Sequence, residues 1–427
     1  MKTTTKIGRG IRKNMLKFLL IPVLTTCVYA QNQFELRQVI VLNEGAFGGP
    51  ATVGSYDPAA KTYVNFDTIP ARFATDVIIS GNCIYVAADT LLIKYNLITK
   101  QRLAVQTVKG IRELASWNNQ VLITRAEITP LPSYFQVYDA ATLNFLYELP
   151  GLSGKASEVK VLGDTAYVAV NDWGAMGKLA VVDLQNQVLN REIDLGADGL
   201  NPEAVRVDGN RIYTVNSLNW TNSSVTRYEA STSLFQNIKL NTPSSCSAST
   251  LYSPLHNIYF QVSGEDKLGV FNAGTLNLID TLYINKSIYG IGTDSINGNI
   301  YTGVTDYSSY GEVFVYDFYG MLKDSFSVGI SPGTFAFDVI DVTGMTRQKA
   351  ESSLAVYPNP SGNELHISSS GEAIHNIRLC DITGRVLQQY DLWSASNTLH
   401  MDHVQPGIYL LKIGVDNGVI TKKIVRD

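Results

Sequence analysis

Histidine is scarce in this chain and poorly placed for catalysis. Only five of the 427 residues are His, and His256 is the only one before residue 354. It lies in a predicted hairpin turn. A Ser-His-Asp triad and a His-rich zinc site both need converging histidines, so this distribution argues against both. The other four, His366, His375, His400 and His403, lie near the C-terminus, and His400 and His403 are interpreted as solvated side chains on a short strand or loop.

Cysteine and charge are also limited. Charged residues make up only 17% of the chain. Three of the four Cys, at positions 83, 246 and 380, each lie alone in a different predicted element. This spacing argues against a disulfide or metal framework and favours buried, small apolar side chains. No metal site is therefore predicted.

The first 30 residues have the layout of a secretory signal peptide. They contain six Lys or Arg and no acidic residue, and they include the apolar run Phe18–Val23 and the small-residue site Val28-Tyr29-Ala30. We expect residues 1–30 to be cleaved on export. A lipid anchor at Cys27 remains the alternative. Beyond this segment, no apolar run approaches the ~20 residues that span a bilayer.

The predicted mature chain is acidic. Removing the six positive charges of the signal takes the formal net charge from −4 to −10. Nucleic-acid binding needs a basic patch, so the acidic balance argues against a nucleic-acid partner.

A repeated phrase dominates the middle of the chain: a Gly/Asn turn followed by an apolar strand, usually one that carries Tyr. Successive copies are 37, 45, 46, 46 and 42 residues apart. This period is typical of four-stranded sheets arranged around an axis. The six apolar strands contain, in order, Tyr85, Leu122, Tyr167, Tyr213, Tyr259 and Tyr301.

Each of these turns follows another apolar strand, as in a tight hairpin. A seventh strand of this kind, Thr334–Ile340, has no hairpin partner after it. At the other end of the repeat region, Gln38–Asn43 and Val53–Asp57 have the pattern of second and third strands, but no first strand precedes them. We therefore predict that Thr334–Ile340 pairs beside Gln38–Asn43 and closes a ring. The other preceding strands are Ala74–Ile79, Arg112–Trp117, Ala156–Leu162, Pro202–Asp208, Ser247–Tyr252 and Ile288–Asp294.

Seven strand ends carry an Asp, Asn or Glu turn signal, as in Tyr56-Asp57-Pro58 and Tyr138-Asp139. Together with the seven first strands, these signals predict an all-β fold, a seven-bladed β-propeller over residues 31–341. The pattern resembles the YncE-like propellers, and Asn43-Glu44-Gly45, Phe47-Gly48 and Tyr56-Asp57-Pro58 resemble the opening motif of a surface-exposed Gram-negative branch. One group in that branch binds cobalamin, so the resemblance implies a corrinoid as a candidate ligand; no other cofactor is expected.

After a polar linker, 342–353, the composition shifts. Residues 354–427 alternate in strands separated by a Pro-Asn-Pro entry, a Gly-Arg hairpin and a Pro-Gly turn, which predicts a small Ig-like β-sandwich. The order of these blocks resembles the C-terminal sorting domain of the type IX secretion system. The resemblance implies the secretion machinery as a partner and a secreted or surface-attached product. Its motif residues are Tyr357, Pro358, Asn359, Pro360, Asp381, Gly384, Arg385, Gly407 and Tyr409.

Carboxylates recur near the start of the predicted innermost strands. Asp76, Glu113 and Glu158 each precede the Gly/Asn turn of their repeat by five residues, and Glu203 is offset by one. One interpretation is a cation site or an acid–base pair with split pKa values. The alternative is a polar rim around a water-filled channel, with side chains bonded to neighbouring backbone.

Two sets of loops are predicted to converge on one face, where aromatic and basic side chains would bind a flat, partly anionic ligand or a glycan. The alternative is that several fold back over gaps between the sheets. The loops that enter the first strands contribute Phe73, Arg112, Lys155, Tyr289 and Phe335, and those that join second to third strands contribute Glu44, Phe47, Arg125, Trp173, Trp220, Tyr307 and Tyr310.

Three functions remain open at this point. The first is a surface binding protein for a small molecule, glycan or protein. The second is an adhesive partner-binder without a small ligand. The third is an enzyme, such as a lyase, lactonase or glycan-acting propeller, that uses the axial carboxylates. No catalytic residue is assigned.

Overall fold

The computed structural model describes residues 34–218, 220, 222–342, 354–370, 373–382, 385–394, 396–415 and 418–427. The predicted signal peptide, 1–30, and residues 343–353 of the predicted linker lie outside these ranges. Two compact units are present. The first comprises Phe34–Val342, and the described part of the second begins at Leu354.

The first unit consists of seven four-stranded antiparallel sheets. Six are built from four consecutive strands each, β4–β7, β8–β11, β12–β15, β16–β19, β20–β23 and β24–β27, and the seventh has the order β28-β1-β2-β3. The strands are β1(Phe34–Asn43), β2(Ala51–Asp57), β3(Thr62–Ile69), β4(Ala74–Ser80), β5(Cys83–Ala88), β6(Leu91–Asn96), β7(Arg102–Thr107), β8(Ile111–Trp117), β9(Gln120–Arg125), β10(Phe135–Asp139), β11(Phe145–Glu148), β12(Ala156–Leu162), β13(Thr165–Val170), β14(Lys178–Asp183), β15(Val188–Asp194), β16(Pro202–Asp208), β17(Arg211–Asn216), β18(Ser223–Glu229), β19(Leu234–Leu240), β20(Ser244–Tyr252), β21(Asn257–Val262), β22(Lys267–Asn272), β23(Asn277–Tyr283), β24(Gly290–Thr293), β25(Ile300–Val304), β26(Glu312–Tyr316), β27(Leu322–Ser327) and β28(Pro332–Asp341). Short 3₁₀ turns occupy Asp172–Gly174, Ala197–Gly199 and Ser253–Leu255.

The first strands of the sheets contact one another in a closed cycle, β28, β4, β8, β12, β16, β20, β24 and back to β28. The cycle closes because the last strand of the unit joins the first sheet. Strand β28 pairs antiparallel with β1, with Leu36 opposite Val339 and Val41 opposite Phe335. The pairing predicted from the unmatched strands at the two ends of the repeat is therefore confirmed.

The Tyr of the repeated phrase is buried between neighbouring sheets. Its apolar ring fills the core, and in the repeats of Tyr85 and Tyr213 the hydroxyl reaches a carbonyl of the next sheet, which avoids an unsatisfied polar group. The Tyr85 hydroxyl donates to the carbonyl of Ala140 at 2.7 Å, and the Tyr213 hydroxyl donates to that of Ala273 at 2.9 Å. The repeat thus ties each of these sheets to its neighbour.

The predicted turn signals act as expected. The Asp57 carboxylate accepts hydrogen bonds from the backbone amides of Ala59 and Ala60, both at 2.9 Å. Asn96 accepts in the same way from Ile98 and Thr99. An Asp or Asn at the end of a third strand fixes the tight turn to the fourth because its side chain replaces a backbone acceptor.

The second unit contains two sheets, β29-β30-β33 and β32-β31-β34-β35. Leu365 and Leu399 of the first sheet and Ile377, Leu411 and Ile424 of the second belong to one buried apolar cluster, so the two sheets share a core. The strands are β29(Leu354–Tyr357), β30(Glu364–Ser369), β31(Ile374–Cys380), β32(Val386–Ser394), β33(Ser396–His400), β34(Gly407–Val415) and β35(Gly418–Arg426).

Loss of β28 should unfold the first unit. A chain that ends at residue 330 lacks β28, so the inner edge of the first sheet is unpaired and the cycle is open. A chain that ends at residue 342 retains the β28–β1 pairing and the closed cycle. The first should therefore lose a stabilisation comparable to the whole free energy of unfolding of a domain, about 5–15 kcal/mol. Thermal unfolding followed by circular dichroism tests this. A cooperative transition of equal midpoint in both chains would contradict the role assigned to β28.

Candidate functional site

Hydrogen bonds place the two predicted sets of loops on the same face of the first unit. The amide of Ala126 donates to the carbonyl of Gly110 at 2.8 Å, and that of Ser217 donates to the carbonyl of Asn201 at 3.0 Å. In both cases a loop between second and third strands is joined to a loop that enters a first strand. We refer to these two sets of loops together as the loop face.

Trp173 and Lys155 meet on the loop face. The Lys155 Nζ lies 4.5 Å from the centroid of the Trp173 ring and 2.5 Å from Oδ1 of Asp172. Trp173 is nevertheless 49% exposed, so the lysine leaves much of the indole open to solvent. A cation against an aromatic face orients the ring. Lys155 and Trp173, which were predicted separately from the sequence, therefore form one cation–π pair.

The loop that carries Trp220 adjoins that of Trp173. Asn201 links them, because its amide donates to the carbonyl of Met176 and its carbonyl accepts from Ser217, both at 3.0 Å. Trp220 is 52% exposed. The two predicted tryptophans therefore lie in neighbouring loops of the same face, and both present their rings to solvent.

A second group of aromatic residues lies where the first and last sheets meet. Phe47 and Tyr310 are almost fully exposed, and Tyr307 is 60% exposed. Tyr307 packs edge-to-face against Tyr289, with ring centroids 5.6 Å apart. Glu44 belongs to the same region, since its amide donates to the carbonyl of Ser331 at 2.8 Å.

The four remaining predicted face residues are less available to a ligand. Arg125 is 5% exposed and donates to the carbonyls of Lys109 and Ser133, both at 2.9 Å. Phe335 is 9% exposed and packs in the apolar cluster that contains Tyr301. These two side chains hold the structure together rather than line the surface. The other two are partly buried: Phe73, whose ring lies 5.6 Å from the Arg72 guanidinium, and Arg112.

Two axial carboxylates bridge neighbouring sheets. Asp76 accepts from the amide of Leu114 and Glu158 from the amide of Val205, each at 2.8 Å. The Leu114 amide lies at a register shift in β8, and the Val205 amide follows a register shift between Pro202 and Ala204 in β16. A β-bulge leaves backbone groups unpaired in its own ladder, so a carboxylate from the preceding sheet supplies the missing acceptor.

The hydroxyl residues just before this carboxylate position make a parallel set of bridges. Ser157 donates to the carbonyl of Glu203 at 3.0 Å, Thr334 donates to that of Thr75 at 3.2 Å, and Thr75 donates to that of Arg112. Glu203 therefore occupies, in β16, the position that is equivalent to Thr75 in β4, Arg112 in β8 and Ser157 in β12. Its offset of one residue in the sequence is a real difference in structural position.

The Glu203 carboxylate accordingly points elsewhere. It accepts from Asn201 Nδ2 at 3.3 Å and from the Ser217 hydroxyl at 3.0 Å, and is 7% exposed. It therefore fixes the base of the Trp220 loop and does not join the other three carboxylates.

Two cations hold Glu158 ionised. Arg206 Nη1 lies 2.5 Å from one carboxylate oxygen and Lys160 Nζ lies 2.7 Å from the other. Burial alone would raise the pKa of Glu158, but the two cations outweigh it and lower the pKa to about 2. The sequence interpretation missed both partners, although Lys160 follows Glu158 by two residues and therefore lies on the same side of the strand.

The two other axial carboxyls are shifted in the opposite direction. Burial, with a smaller contribution from Glu158, raises the pKa of Asp76 to about 6. Burial, followed by the charges of Asp76 and Glu158, holds the pKa of Glu113 well above its usual range. The pKa values of the axial carboxyls are thus shifted in opposite directions, and Asp76 and Glu158 already have backbone partners.

The described residues contain no group of three or more His, Cys, Asp or Glu side chains arranged to hold a metal ion. Nor do they contain a helix that is long and apolar enough to cross a bilayer.

The predicted sorting-motif residues fix the ends of the second unit. The Asn359 side chain donates to the carbonyl of Lys423 and accepts from the amide of Val425, both at 2.9 Å. Arg385 donates to Asp381 at 3.1 Å. Gly384 lies outside the described residues. The remaining motif residues are Tyr357 at the end of β29, Pro358 and Pro360 after that strand, and Gly407 and Tyr409 in β34.

Comparison with known families identifies the second unit. Residues 355–427 match the family described as secretion system C-terminal sorting domain. Within the first unit, residues 71–93 and 153–187 match the LVIVD repeat. No curated protein matches the chain. The tail is therefore a sorting domain of the type IX secretion system, which directs the protein to the cell surface or outside, as the sequence resemblance implied.

Solved structures similar to this chain include β-propellers. The β-propeller domain of Cps50 (Swd1) from Myceliophteria thermophila is 11% identical, with a TM-score of 0.52 over 66% of this chain and 98% of that one. A functionally unknown protein from Desulfotomaculum acetoxidans is 13% identical, with a TM-score of 0.54 over 70% and 98%. A hypothetical selenium-binding protein from Sulfolobus tokodaii is 9% identical, with a TM-score of 0.57 over 71% and 94%. At these identities the similarity concerns the fold alone.

Replacement of Glu158 should destabilise the fold rather than remove a catalytic group. Because its pKa falls from 4.5 to about 2 on folding, its ionised form contributes stability above pH 4.5, and this contribution is lost as the pH falls through 2. Glu158→Gln should therefore lower the free energy of unfolding at pH 7 by about 3 kcal/mol. Urea unfolding of the mature chain at several pH values measures this.

The difference between wild type and Glu158→Gln should shrink as the pH is lowered below 4.5. Glu265→Gln is the control, because Glu265 is exposed and forms an ion pair with Lys267 on the surface; its effect should stay below about 1 kcal/mol. Equal stability of Glu158→Gln and wild type at pH 7 would refute the bridging role.

Proposed function

We propose that this protein is an exported seven-bladed β-propeller, related to the YncE-like propellers, that binds a ligand on its loop face. The seven four-stranded sheets and the closed cycle of first strands support the blade count. The sorting domain supports export. In this account the predicted signal peptide starts export, and the tail, proposed to be an Ig-like sandwich, directs passage across the outer membrane.

The backbone beneath the exposed aromatic residues is the observation that carries the binding function. Trp173, Trp220 and Tyr307 have φ values of 57°, 65° and 66°. This left-handed conformation costs a residue with a side chain about 1–2 kcal/mol. All three rings are also about half exposed or more. Strain and exposed apolar surface combined in three loops of one face are typical of a functional surface, where a partner compensates both costs.

A small molecule or a glycan fits this surface best. Exposed rings stack on flat or sugar ligands, and Lys155 beside Trp173 adds a cation for a partly anionic group. The opening motif that includes Glu44 and Phe47 makes a corrinoid one candidate. Adhesion to a protein partner through the same loops is the second function, and it would use the same exposed rings.

Catalysis is a weaker proposal. Asp76 and Glu158 satisfy backbone amides of the next sheet, and Glu158 is also held by two cations. Carboxylates with these tasks are not free to accept and donate protons during a reaction. Their arrangement therefore favours a polar, structural axis over an acid–base pair.

Glycine substitutions separate binding from folding on this face. Glycine adopts positive φ without strain, so Trp173→Gly and Trp220→Gly should leave the thermal midpoint of the mature protein unchanged or higher. The same variants should lose ligand binding by at least about tenfold, because stacking on each ring contributes on the order of 1 kcal/mol or more. Binding is measured on a glycan array and, for a corrinoid, by calorimetry with cobalamin.

Tyr319→Ser serves as the control, because Tyr319 is 71% exposed in the turn between β26 and β27, outside the loop face. It should bind as wild type does. Binding by the glycine variants that equals wild type would contradict the proposed face. No binding of wild type to glycans or cobalamin would leave adhesion to a protein as the function of these loops.

A further inference from the structure

The rings of Tyr289 and Tyr307 form a corner on the loop face. Their planes are 87° apart and their centroids are separated by 5.6 Å. Tyr307 is 60% exposed and Tyr289 is partly buried, so the corner opens to solvent while one wall is fixed in the structure. Two perpendicular aromatic walls offer a cation the electron-rich face of one ring beside the second ring.

The backbone of Glu44 is linked to the loop that carries Tyr307. The Glu44 amide is hydrogen-bonded to the carbonyl of Ser331, and the Ser331 hydroxyl lies 3.3 Å from that of Thr305. The Thr305 hydroxyl in turn accepts from the amide of Tyr307 at 2.8 Å. This chain of contacts places Glu44 next to the Tyr307 loop. Within the described part of the chain, the Glu44 carboxylate makes no hydrogen bond and no ion pair.

The charges around the corner are mainly negative. Asp306 accepts from the amides of Ser309 and Ser308, which lower its pKa to about 2 and keep it ionised. Glu312 is exposed at the end of the same loop. The cation of the preceding loop, Lys286, lies 4.8 Å from the Phe314 ring centroid. Residues 44–50, 305–311 and 328–333 contain no Lys or Arg.

Burial raises the pKa of Glu44 above its usual value. A bound cation would supply the missing opposite charge. A neutral sugar or an anion would not, and an anion would be repelled by Asp306 and Glu312.

We propose that the corner formed by Tyr289 and Tyr307, with Glu44 beside it, binds an organic cation, namely a quaternary or substituted ammonium group. This inference rests on the proposed binding function of the loop face and assigns a charge to the ligand group that this part of the face receives. The ammonium group packs against the two rings, and the Glu44 carboxylate neutralises it.

Choline and its neutral isostere, 3,3-dimethylbutan-1-ol, test the charge requirement directly, because the two probes have the same shape. Ligand-observed NMR with the mature chain at millimolar probe concentration should show choline binding about tenfold tighter than the isostere. Choline binding should also weaken as the pH falls through the raised pKa of Glu44. Equal binding of both probes, or no choline binding, would overturn the proposal.

Variants with matched controls locate the site. Tyr307→Leu and Glu44→Gln should each weaken choline binding by about tenfold, and Glu44→Gln should also abolish its pH dependence. Two control variants, Tyr319→Leu and Glu35→Gln, should bind choline as wild type does. Tyr319 lies outside the loop face, and Glu35 lies near the start of β1, at the opposite end of that strand from Glu44.

The outcomes also separate this inference from the proposed function. If choline fails to bind while the Trp173 and Trp220 variants still lose a glycan or cobalamin, only the charge assigned to the corner is wrong. Unchanged choline binding in Tyr307→Leu would place the cation elsewhere and overturn the assignment to the corner.

Discussion

Strand β28 joins the sheet that begins with β1, and through this pairing the two ends of the first unit meet. The contact completes the cycle of first strands and covers a sheet edge that would otherwise be open. It also builds part of the surface. Glu44, which follows β1, is hydrogen-bonded through its amide to Ser331, which immediately precedes β28. Pairing of β28 with β1 therefore brings Glu44 and the segment before β28 together on the loop face.

The axis and the loop face have different physical tasks. At the axis, Asp76 and Glu158 supply acceptors to bulged strands of the next sheet, and Arg206 and Lys160 balance the buried charge of Glu158. Breaking such a set leaves an uncompensated charge, so these residues favour rigidity. On the loop face, by contrast, aromatic rings are exposed on strained backbone. A rigid axis fixes the strands from which the loops extend, so the loops can retain their strained positive-φ backbone.

The regular part of the fold was predictable because its signals are local. A Gly/Asn turn, an alternating strand and an Asp-capped turn each depend on only a few residues. The period at which they recur indicates where each four-stranded sheet begins. Even the pairing of β28 with β1 followed from unmatched strands at the two ends. The predicted starts differ by a few residues, as in β20 and β24, because a bulge or a loop contact decides where pairing begins.

The candidate site was less predictable because its chemistry is nonlocal. Arg125 and Phe335 share residue type and loop position with exposed candidates, but tertiary packing buries them. Arg206 of β16 contacts Glu158 of β12 in the neighbouring sheet, and no spacing pattern in the sequence predicts this contact. The T-shaped pair of Tyr289 and Tyr307 likewise depends on how two loops of one sheet pack.

Native mass spectrometry of the protein recovered from the culture medium of its own cells tests the proposed export and ligand binding together. We expect a chain that begins at Gln31, ends near residues 342–353 without the sorting domain, and carries a non-covalent adduct. That adduct should be lost in a variant that combines Trp173→Gly, Trp220→Gly and Tyr307→Gly. A secreted chain that carries no adduct, or an adduct that the combined variant retains, would contradict a ligand-binding function for this face.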